Sequence, residues 1–158
     1  MKLAGKKVIA IGDRDGINGE TIEAVMEDAG ADVVFTATEC FVCTAAGSVD
    51  LPNQKRIKEI MEDSEDGGFI AILGVCDNEG AKIHAKTVTT GDPAYVGALA
   101  GVSLHLPVYH VLEEEIKSQI SEDAYKEHLE VSEMALDEDT LKESIDIIKT
   151  TRREESNL

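Results

Sequence analysis

Short β-branched apolar runs alternate with amphipathic stretches through the first two thirds of the chain, and this pattern limits the fold more than any other feature. Runs typical of strands lie at residues 6–12, 31–38, 67–75 and 106–112. Strands that alternate with helices indicate βαβ units, in which the strands are parallel and the crossovers are right-handed. The sequence therefore predicts an α/β fold of the Rossmann/flavodoxin-like kind, with a short parallel sheet of about four strands flanked by helices.

The stretches between these runs predict the helices. Residues 20–30 place several apolar side chains on one helical face, with Gly30 as a stop signal. These side chains are Ile22, Val25, Met26 and Ala29. Asp50 and Pro52 form a helix start, and the residues after them carry Ile57, Ile60 and Met61 on one side. Residues 91–104 are rich in small side chains and predict a third helix that packs closely on the sheet.

The last part of the chain is acidic and shows no clear strand pattern. Residues 121–136 and residues 137–155 both have the pattern of helices, and Asp137 is suited to cap the second. The apolar stripe of that second helix consists of Leu141, Ile145 and Ile148. Residues 153–158 are expected to be frayed.

The length of the chain fits one domain with a core of ordinary size. It has 158 residues, of which 42% are apolar. No linker or repeat divides the sequence, so a single α/β domain is expected over residues 1–158. Residues 113–158 are expected to form a helical tail that packs on this domain or extends from it.

The charge of the chain excludes several classes of partner. It carries 32 Asp and Glu against 15 Lys and Arg, a formal net charge of −17. Such a surface repels the phosphates of nucleic acids and of anionic lipids, so neither is expected as a partner. A solvated surface is the simple interpretation, and a docking surface for basic patches on partner proteins is the alternative. No run approaches the roughly 20 apolar residues of a membrane helix or resembles a signal peptide, so a cytoplasmic location is expected.

A Cys-x-x-Cys spacing provides the strongest functional signal. Cys40 and Cys43 follow the second predicted strand in a loop, the kind of segment in which functional residues concentrate. Small side chains at residues 44–48 would leave the second sulfur accessible. In a chain of cytosolic type with 3 cysteines, a close pair is more typical of redox chemistry or metal binding than of a disulfide framework. Two unrelated structural thiols are the simple alternative.

The charges around this pair do not favour an ordinary thiol nucleophile. A free thiol has a pKa of about 8.5 and needs cations or a helix N-terminus to ionise near neutral pH. Residues 15–54 contain no Lys, Arg or His, and Glu39 directly precedes Cys40. Cys43 is therefore expected to be a weak nucleophile. The alternatives are that the fold or a partner supplies a cation or a helix terminus, or that position 43 suits an atom that ionises without help.

Other candidate sites are weaker. The turn at residues 12–19 follows the first strand, where doubly wound folds often bind phosphate, but its spacing matches neither glycine-rich phosphate motif. A tight turn is the simple interpretation, and a ligand or partner contact is the alternative. Cys76 ends the third strand and is interpreted as an apolar filler or as a redox residue. The histidines are scattered, which argues against zinc, and His110 is expected to be a satisfied core residue.

Four segments of the sequence resemble one protein family. They are GDRDGI from residue 12, TATECFVCTAAGSVDLPNQKRIK from residue 36, TVTTGDPAYVGALAGVSL from residue 87 and VYHVLE from residue 108. In this order, over about residues 8–139, the chain is similar to component A of the glycine/sarcosine/betaine reductase complex, a small selenoprotein of amino-acid-fermenting anaerobes. The segment ECFVCTAAG with the following NQKR is far more specific than a bare Cys-x-x-Cys.

The resemblance implies a chemistry for the cysteine pair. In the family the second position of the motif is selenocysteine, which makes position 43 the nucleophile and Cys40 its resolving thiol. This chain has Cys43 there, as a natural cysteine homologue, a deliberate replacement or a selenocysteine written as cysteine. A selenol is largely ionised at neutral pH without a neighbouring cation, which would explain the missing cations. No bound cofactor and no metal are expected.

The resemblance also implies partners. Component B, which contains a pyruvoyl group, would hold glycine, sarcosine or betaine, and position 43 would accept a carboxymethyl group from it and release the amine. Component C would convert the two-carbon unit to acetyl phosphate. A selenide–sulfide bond, here a disulfide, would form with Cys40, and thioredoxin with its reductase would reduce it. The chain is thus expected to be a subunit of a reductive deaminase, with little or no turnover in the Cys43 form.

Two other classes of function stay open from the residues alone. A thioredoxin-like fold and a general dithiol oxidoreductase activity would also place a Cys pair after the second strand, and Pro107 gives this some support. The aromatic-Cys-Gly-Pro-Cys pattern, however, is missing. A flavodoxin-like binding module would use the turn at residues 12–19.

Overall fold

Four parallel strands form the sheet in the described part of the chain, residues 1–44 and 47–157 of the computed structural model. They are β1 (Lys7–Asp13), β2 (Asp32–Glu39), β3 (Phe69–Leu73) and β4 (Val108–His110). The strands lie in the order β2-β1-β3-β4, and each neighbouring pair is parallel. The predicted α/β fold with a short parallel sheet is confirmed, and the strand order is the doubly wound, flavodoxin-like one.

Helices cover both faces of the sheet. One face carries α1 (Gly19–Asp28), and the other carries α2 (Leu51–Asp63) and α3 (Asn78–Thr87). Side chains of β1 alternate between these two layers, as strand geometry requires. The core on the α1 side includes Val8, Ala10, Ile22, Val25 and Met26. The core on the other side includes Ile9, Ile11, Ile57, Ala81 and Ala85.

The segment between β3 and β4 differs from the prediction. Residues 91–104 do not form the predicted helix, whereas α3 forms at residues 78–87, where none was predicted. Gly91 and Gly101 adopt positive φ values of 122° and 71°, which a helix does not allow. The Asp92 carboxylate accepts three nearby backbone N–H groups, so local hydrogen bonds replace helical ones. The small side chains of residues 91–104 therefore led to a wrong prediction of a helix.

Helices also form the last part of the chain. They are α4 (Glu114–Lys117), α5 (Glu122–Ala124), a π-helical turn (Tyr125–Leu129), α6 (Glu130–Met134) and α7 (Glu138–Glu155). The two predicted tail helices are thus confirmed, and Asp137 caps α7 by accepting the Thr140 N–H at 2.9 Å. Among the described residues, none of the helices has both the length and the apolar character that a membrane crossing requires.

The end of the chain is bound to the rest of the molecule. Arg152 of α7 donates to the Val108 carbonyl at 2.8 Å and forms a salt bridge with Glu113 at 3.0 Å. Beyond the helix, the Ser156 hydroxyl donates to the Leu106 carbonyl and the Asn157 N–H donates to the His105 carbonyl. The expectation that residues 153–158 are frayed is therefore wrong for residues 153–157, and residue 158 lies outside the described part.

Candidate redox site

Cys40 and Cys43 lie together at the carboxyl edge of the sheet. β2 ends one residue before Cys40, and Phe41–Cys43 form a single 3₁₀ turn in which the Cys43 N–H donates to the Cys40 carbonyl at 3.0 Å. A disulfide joins the two residues, whose Cα atoms are 5.2 Å apart. Cys43 is exposed, whereas Cys40 is half-buried. The structure therefore brings the two predicted site residues together. Residues 45 and 46 of the predicted small segment lie outside the described residues.

The ring of Phe41 holds this loop against the start of α3. A Cβ atom at Gly80, in the first turn of α3, would lie 3.4 Å from the ring and 2.8 Å from Val75. Gly47, with a φ of 69°, packs its backbone against another edge of the same ring, where a side chain would not fit. The N-terminal end of α3 therefore lies beside Phe41, the residue that directly follows Cys40. A helix N-terminus, which helps a thiol to ionise, is thus near the loop.

A buried carboxyl group, Asp13, lies beside the backbone of Cys40. Asp13 ends β1 opposite Glu39, and only 3% of its surface is exposed. The next residue, Arg14, donates its N–H at 2.8 Å to the Glu39 carbonyl, which belongs to the peptide bond that leads into Cys40. Oδ1 of Asp13 accepts the Asp15 N–H at 2.9 Å. Oδ2 is buried and has no hydrogen-bond partner in the described part of the chain.

The surroundings of Asp13 favour its protonated form. Burial raises the pKa of Asp13 above its usual value, and the charges of Asp15 and Asp77 raise it further. The backbone N–H groups of Asp15 and Phe41 act in the opposite direction without cancelling the rise. The carboxyl group thus holds its proton to a higher pH than an exposed aspartate does.

Glu39 is a second buried carboxylate next to the motif. Its surface is 1% exposed, and its two oxygens accept the Asn53 side-chain amide at 2.6 Å and the Asp50 N–H at 3.1 Å. Burial raises the pKa of Glu39, and these hydrogen bonds oppose the rise. Since Asp50 and Asn53 begin α2, Glu39 joins the two ends of the loop that contains Cys40 and Cys43.

The structure adds no salt-bridged cation to these carboxylates. In the described part of the chain, neither Asp13 nor Glu39 takes part in a salt bridge. The nearest cation in sequence, Arg14, has a side chain that is 61% exposed and lies 3.8 Å from Asp15. The electrostatic surroundings of the pair are therefore acidic, in agreement with the composition of residues 15–54.

The turn at residues 12–19 packs against the end of β3. The Ile17 N–H donates to the Gly74 carbonyl at 2.9 Å, and the backbone of Gly16 approaches the same carbonyl too closely for any side chain. The Ile17 carbonyl accepts the Asp13 N–H at 2.9 Å. These contacts occupy the point between β1 and β3 where doubly wound folds often hold a ligand. They agree with the interpretation of this segment as a tight turn.

Cys76 and His110 lie behind this turn. The Cys76 thiol is 3.5 Å from the Gly74 carbonyl and 3.8 Å from Nε2 of His110. Burial and the charge of Asp13 raise the pKa of Cys76 to about 12, which makes it a poor nucleophile. Nε2 of the buried His110 lies 3.0 Å from the Val75 carbonyl, and Nδ1 accepts the Leu112 N–H at 3.0 Å. His110 is therefore a satisfied core residue, as predicted.

The sequence motif points to Cys40 and Cys43 but not to the residues that pack around them. In the sequence, Asp13 is only one residue of the turn at residues 12–19, and Glu39 is only the residue before Cys40. The packing of Phe41 on Gly80 depends on α3, which was not predicted. For Asp13 and Glu39, the available signal was a carboxylate at the end of each of two adjacent strands, because parallel strands end at one edge of the sheet. Among the described residues, no group of His, Cys, Asp or Glu has a metal-binding arrangement.

Comparison with known proteins identifies the family. The family model for glycine reductase complex selenoprotein A matches residues 3–149. A glycine/sarcosine/betaine reductase complex component A of Carboxydothermus hydrogenoformans is 53% identical over 88% of this chain and 89% of its own. The protein of the same name from Gottschalkia purinilytica is 48% identical over 94% of this chain and 99% of its own. A component A2 from Photobacterium profundum is 49% identical over 88% and 86%.

The similarity extends over nearly the whole sequence, and it includes β1, the cysteine loop and the packed segment before β4. No solved structure matches the chain. The family model and the identities nevertheless agree with the resemblance carried by the cysteine loop and the three other segments. This chain belongs to the glycine reductase complex selenoprotein A family.

Proposed function

We propose that this protein carries a carboxymethyl group between the other components of a glycine, sarcosine or betaine reductase, with the atom at position 43 as the nucleophile. The family places the chain as one component of such a reductase system. The observation that supports the finer role is the asymmetry of the pair, in which Cys43 is exposed and Cys40 is half-buried and bonded to it. An exposed nucleophile with a less exposed resolving thiol beside it is suited to carrier chemistry.

The proposed cycle begins with the reduced pair. The sulfur or selenium at position 43 attacks the α-carbon of the substrate held by component B, and the amine leaves with the bonding electrons. Component C then takes over the two-carbon unit for acetyl phosphate formation: the bond from position 43 to carbon breaks with its electron pair on carbon, and position 43 becomes bonded to the Cys40 sulfur. The two-carbon unit is thereby reduced by two electrons and the pair at positions 40 and 43 is oxidised by two. Thioredoxin, reduced by its reductase, opens that bond by thiol–disulfide exchange. Division of the C–N cleavage between two sites is the benefit of a covalent carrier.

The acidic surroundings support selenium as the atom suited to position 43. A thiol beside buried carboxylates is a weak nucleophile at neutral pH, because each negative charge disfavours the thiolate. A selenol ionises without such help. The proposal is therefore that the Cys43 form has little or no turnover and that a selenocysteine form is active.

Selective alkylation tests the proposal. The reduced protein is treated with iodoacetate at near-neutral pH, and the modified residue is located by peptide mass spectrometry. Carrier chemistry predicts carboxymethylation at Cys43 in preference to Cys40 and Cys76. A Cys43→Ser variant serves as the control and should lose this modification. Modification mainly at Cys40 would contradict the assignment of the nucleophile.

A dithiol oxidoreductase is the second candidate, because the Cys40–Cys43 disulfide alone is compatible with it. Catalytic reduction of insulin by the reduced protein, at a rate comparable to that of thioredoxin, would favour this candidate. Carrier chemistry predicts no such catalysis.

The identity of the atom at position 43 is a separate question. An in-frame TGA codon in the coding DNA, or an intact mass higher by the difference between selenium and sulfur, would establish selenocysteine. A cysteine codon and the unchanged mass would establish a cysteine form.

A further inference from the structure

Burial of the Asp13 carboxyl group costs folding free energy, and its contacts do not offset that cost. Only 3% of the Asp13 surface is exposed, and its Oδ2 atom has no hydrogen-bond partner among the described residues. Burial of a carboxyl group with an unsatisfied oxygen costs free energy. The one hydrogen bond that Oδ1 accepts, from the Asp15 N–H, is local and would also be available to an asparagine. Unpaired buried polar groups of this kind often have a chemical role.

The position of Asp13 connects it to Cys40. Hydrogen bonding from the Arg14 N–H to the Glu39 carbonyl fixes the chain immediately before Cys40, and the Phe41 N–H faces the Asp13 carboxyl group immediately after it. The peptide groups on both sides of Cys40 thus lie beside the same two residues, Asp13 and Arg14. Cys40, rather than the exposed Cys43, is the member of the pair that lies partly inside the protein, where water has limited access.

We propose that Asp13 exchanges a proton with the Cys40 thiol whenever the bond between positions 40 and 43 opens or closes. This inference rests on the proposed role of Cys40 as the resolving thiol. Asp13 is a proton donor and acceptor in it, and the sulfur atoms remain the groups that form and break covalent bonds.

Protons and electrons balance in both directions of the reaction. In reduction, a thiolate of the reductant attacks the Cys43 sulfur, the S–S bond breaks, and the Cys40 sulfur leaves with the electron pair and takes the proton of the Asp13 carboxylic acid. In closure, the Asp13 carboxylate accepts the Cys40 thiol proton, and the resulting thiolate attacks a Cys43 sulfur that is in mixed disulfide with another thiol. That other thiol leaves as the thiolate. No further oxidant or reductant is required.

Several charged and titratable groups surround Asp13, and four of them are poorer proton partners for Cys40. They are Asp15 and Arg14 in its own turn, Glu39 at the end of β2, and Cys76 and Asp77 after β3. Arg14 and Asp15 have side chains that are 61% and 68% exposed, and both oxygens of Glu39 already accept hydrogen bonds. The Cys76 thiol has a pKa of about 12 and keeps its proton at neutral pH.

A two-step reaction with an aromatic disulfide reagent tests the proposal. All variants carry Cys76→Ala, so that only Cys40 and Cys43 react. The reduced protein releases a first coloured thiol when Cys43 forms the mixed disulfide, and a second one when Cys40 closes the bond. The rate constant of the second release is measured from pH 5 to pH 10 for the parent, for Asp13→Asn and for Asp15→Asn. Loss of a proton acceptor should slow the second release about tenfold or more near neutral pH.

The sign of the change separates proton transfer from simple electrostatics. Removal of a negative charge lowers the pKa of a nearby thiol, so a purely electrostatic or structural role predicts a faster or unchanged second release in Asp13→Asn. The matched control Asp15→Asn removes one charge from the same turn and should be unchanged or slightly faster. A slower release with one ionisation missing from the pH profile supports the proposal. An unchanged or faster release in Asp13→Asn overturns it.

A measurement on the unsubstituted protein covers the case in which Asp13→Asn folds poorly. The Asp13 carboxyl carbon is followed by NMR as the pH changes, once with the disulfide intact and once with the pair reduced. Proton exchange with Cys40 requires that the titration of Asp13 differ between the two forms, and identical titrations would reject the proposal. Neither experiment involves carboxymethyl transfer, so their failure leaves the carrier role standing, whereas failed carboxymethylation at Cys43 removes the carrier role first.

Discussion

At the scale of single residues, the acidic surroundings of the cysteine loop determine how Cys43 reacts. With Asp13 and Glu39 buried nearby and no salt-bridged cation on either among the described residues, we expect a Cys43 thiol pKa at or above the free value of about 8.5. A selenocysteine at the same position should alkylate well below neutral pH. The measurement is the rate of alkylation by iodoacetamide as a function of pH.

One contact works against this expectation. The start of α3 lies beside Phe41, and a helix N-terminus lowers the pKa of a thiol that it faces. If the alkylation rate of Cys43 shows a pKa of about 6 instead, the helix terminus outweighs the carboxylates. The result thus decides which of two nearby electrostatic effects is larger.

A second prediction concerns how the free energy of unfolding depends on pH through Asp13. The folded-state pKa of Asp13 lies above the ordinary aspartate value of about 3.9, so between these two values the folded protein keeps a proton that the unfolded chain has released. The free energy of unfolding therefore falls as the pH rises through this window. Asp13→Asn should flatten this fall and be more stable than the parent at pH 7. Urea unfolding at pH 4 and pH 7 measures both effects.

The control for this prediction is Asp15→Asn, because the Asp15 side chain is exposed. This variant should leave the pH dependence of the free energy of unfolding close to that of the parent. If Asp13→Asn were less stable than the parent at pH 7, the buried carboxylate would have a stabilising partner that the described contacts do not include.

The residues of the site differ in how far the sequence alone predicts them. Cys40 and Cys43 belong to one local motif, so their spacing and their place after a strand were sufficient to predict that they lie together. Asp13 lies 27 positions before Cys40 and becomes its neighbour only because β1 and β2 pair in parallel. Phe41 meets Gly80 only because α3 begins at the same edge of the sheet. Contacts of this kind depend on register and packing, which the local pattern does not contain.

At the scale of elements, a buried ion pair fastens α7 to the end of β4. Arg152 is 9% exposed and donates to the Val108 carbonyl and to the Glu113 carboxylate, which is 3% exposed and also accepts the His110 N–H. Arg152→Met should destabilise the protein by about 3–5 kcal/mol, because it leaves the Glu113 charge buried without a partner. Urea unfolding at neutral pH measures the loss.

Two further variants test the cause of that loss. Arg153→Met changes an exposed residue of the same helix and should cost less than about 0.5 kcal/mol. Arg152→Met combined with Glu113→Gln should recover part of the stability, because the unpaired charge is then removed. A double variant as unstable as Arg152→Met alone would mean that packing of the arginine side chain on Tyr109, rather than the charge pair, accounts for the effect.

The elements also differ in how far periodicity predicts them. The strands, α1 and α7 follow strong apolar patterns, and Gly30 ends α1 with a φ of 88°, as its position predicted. The helix α3 was missed because its buried face consists of Gly80, Ala81, His84, Ala85 and Thr87, none of which is strongly apolar. Residues 91–104 were wrongly predicted for the opposite reason, since their small apolar side chains resemble those of a packed helix, whereas glycines with positive φ prevent one.

At the scale of the whole molecule, the net charge of −17 on 158 residues sets the response to salt. Like charges that repel one another destabilise the compact state, and salt screens this repulsion. From 0.01 M to 0.15 M salt the screening length falls from about 30 Å to about 8 Å, which is shorter than most distances across a domain. We therefore expect the Tm to rise with NaCl over this range, by about 2–4 °C for each kcal/mol gained.

The effect of salt should disappear where the net charge does. At a pH close to the sequence pI of about 4.5, the repulsion is small, so the same addition of NaCl should leave the Tm nearly constant. Calorimetric scans at pH 7 and at pH 4.5, each at low and at physiological ionic strength, make the comparison within one protein. A Tm that falls with salt at pH 7 would mean that attractive pairs such as Arg152 with Glu113 and Lys117 with Glu133 outweigh the general repulsion. Since buried pairs are screened less than exposed charges, the repulsion between the many exposed carboxylates should dominate, and the rise should be the observed result.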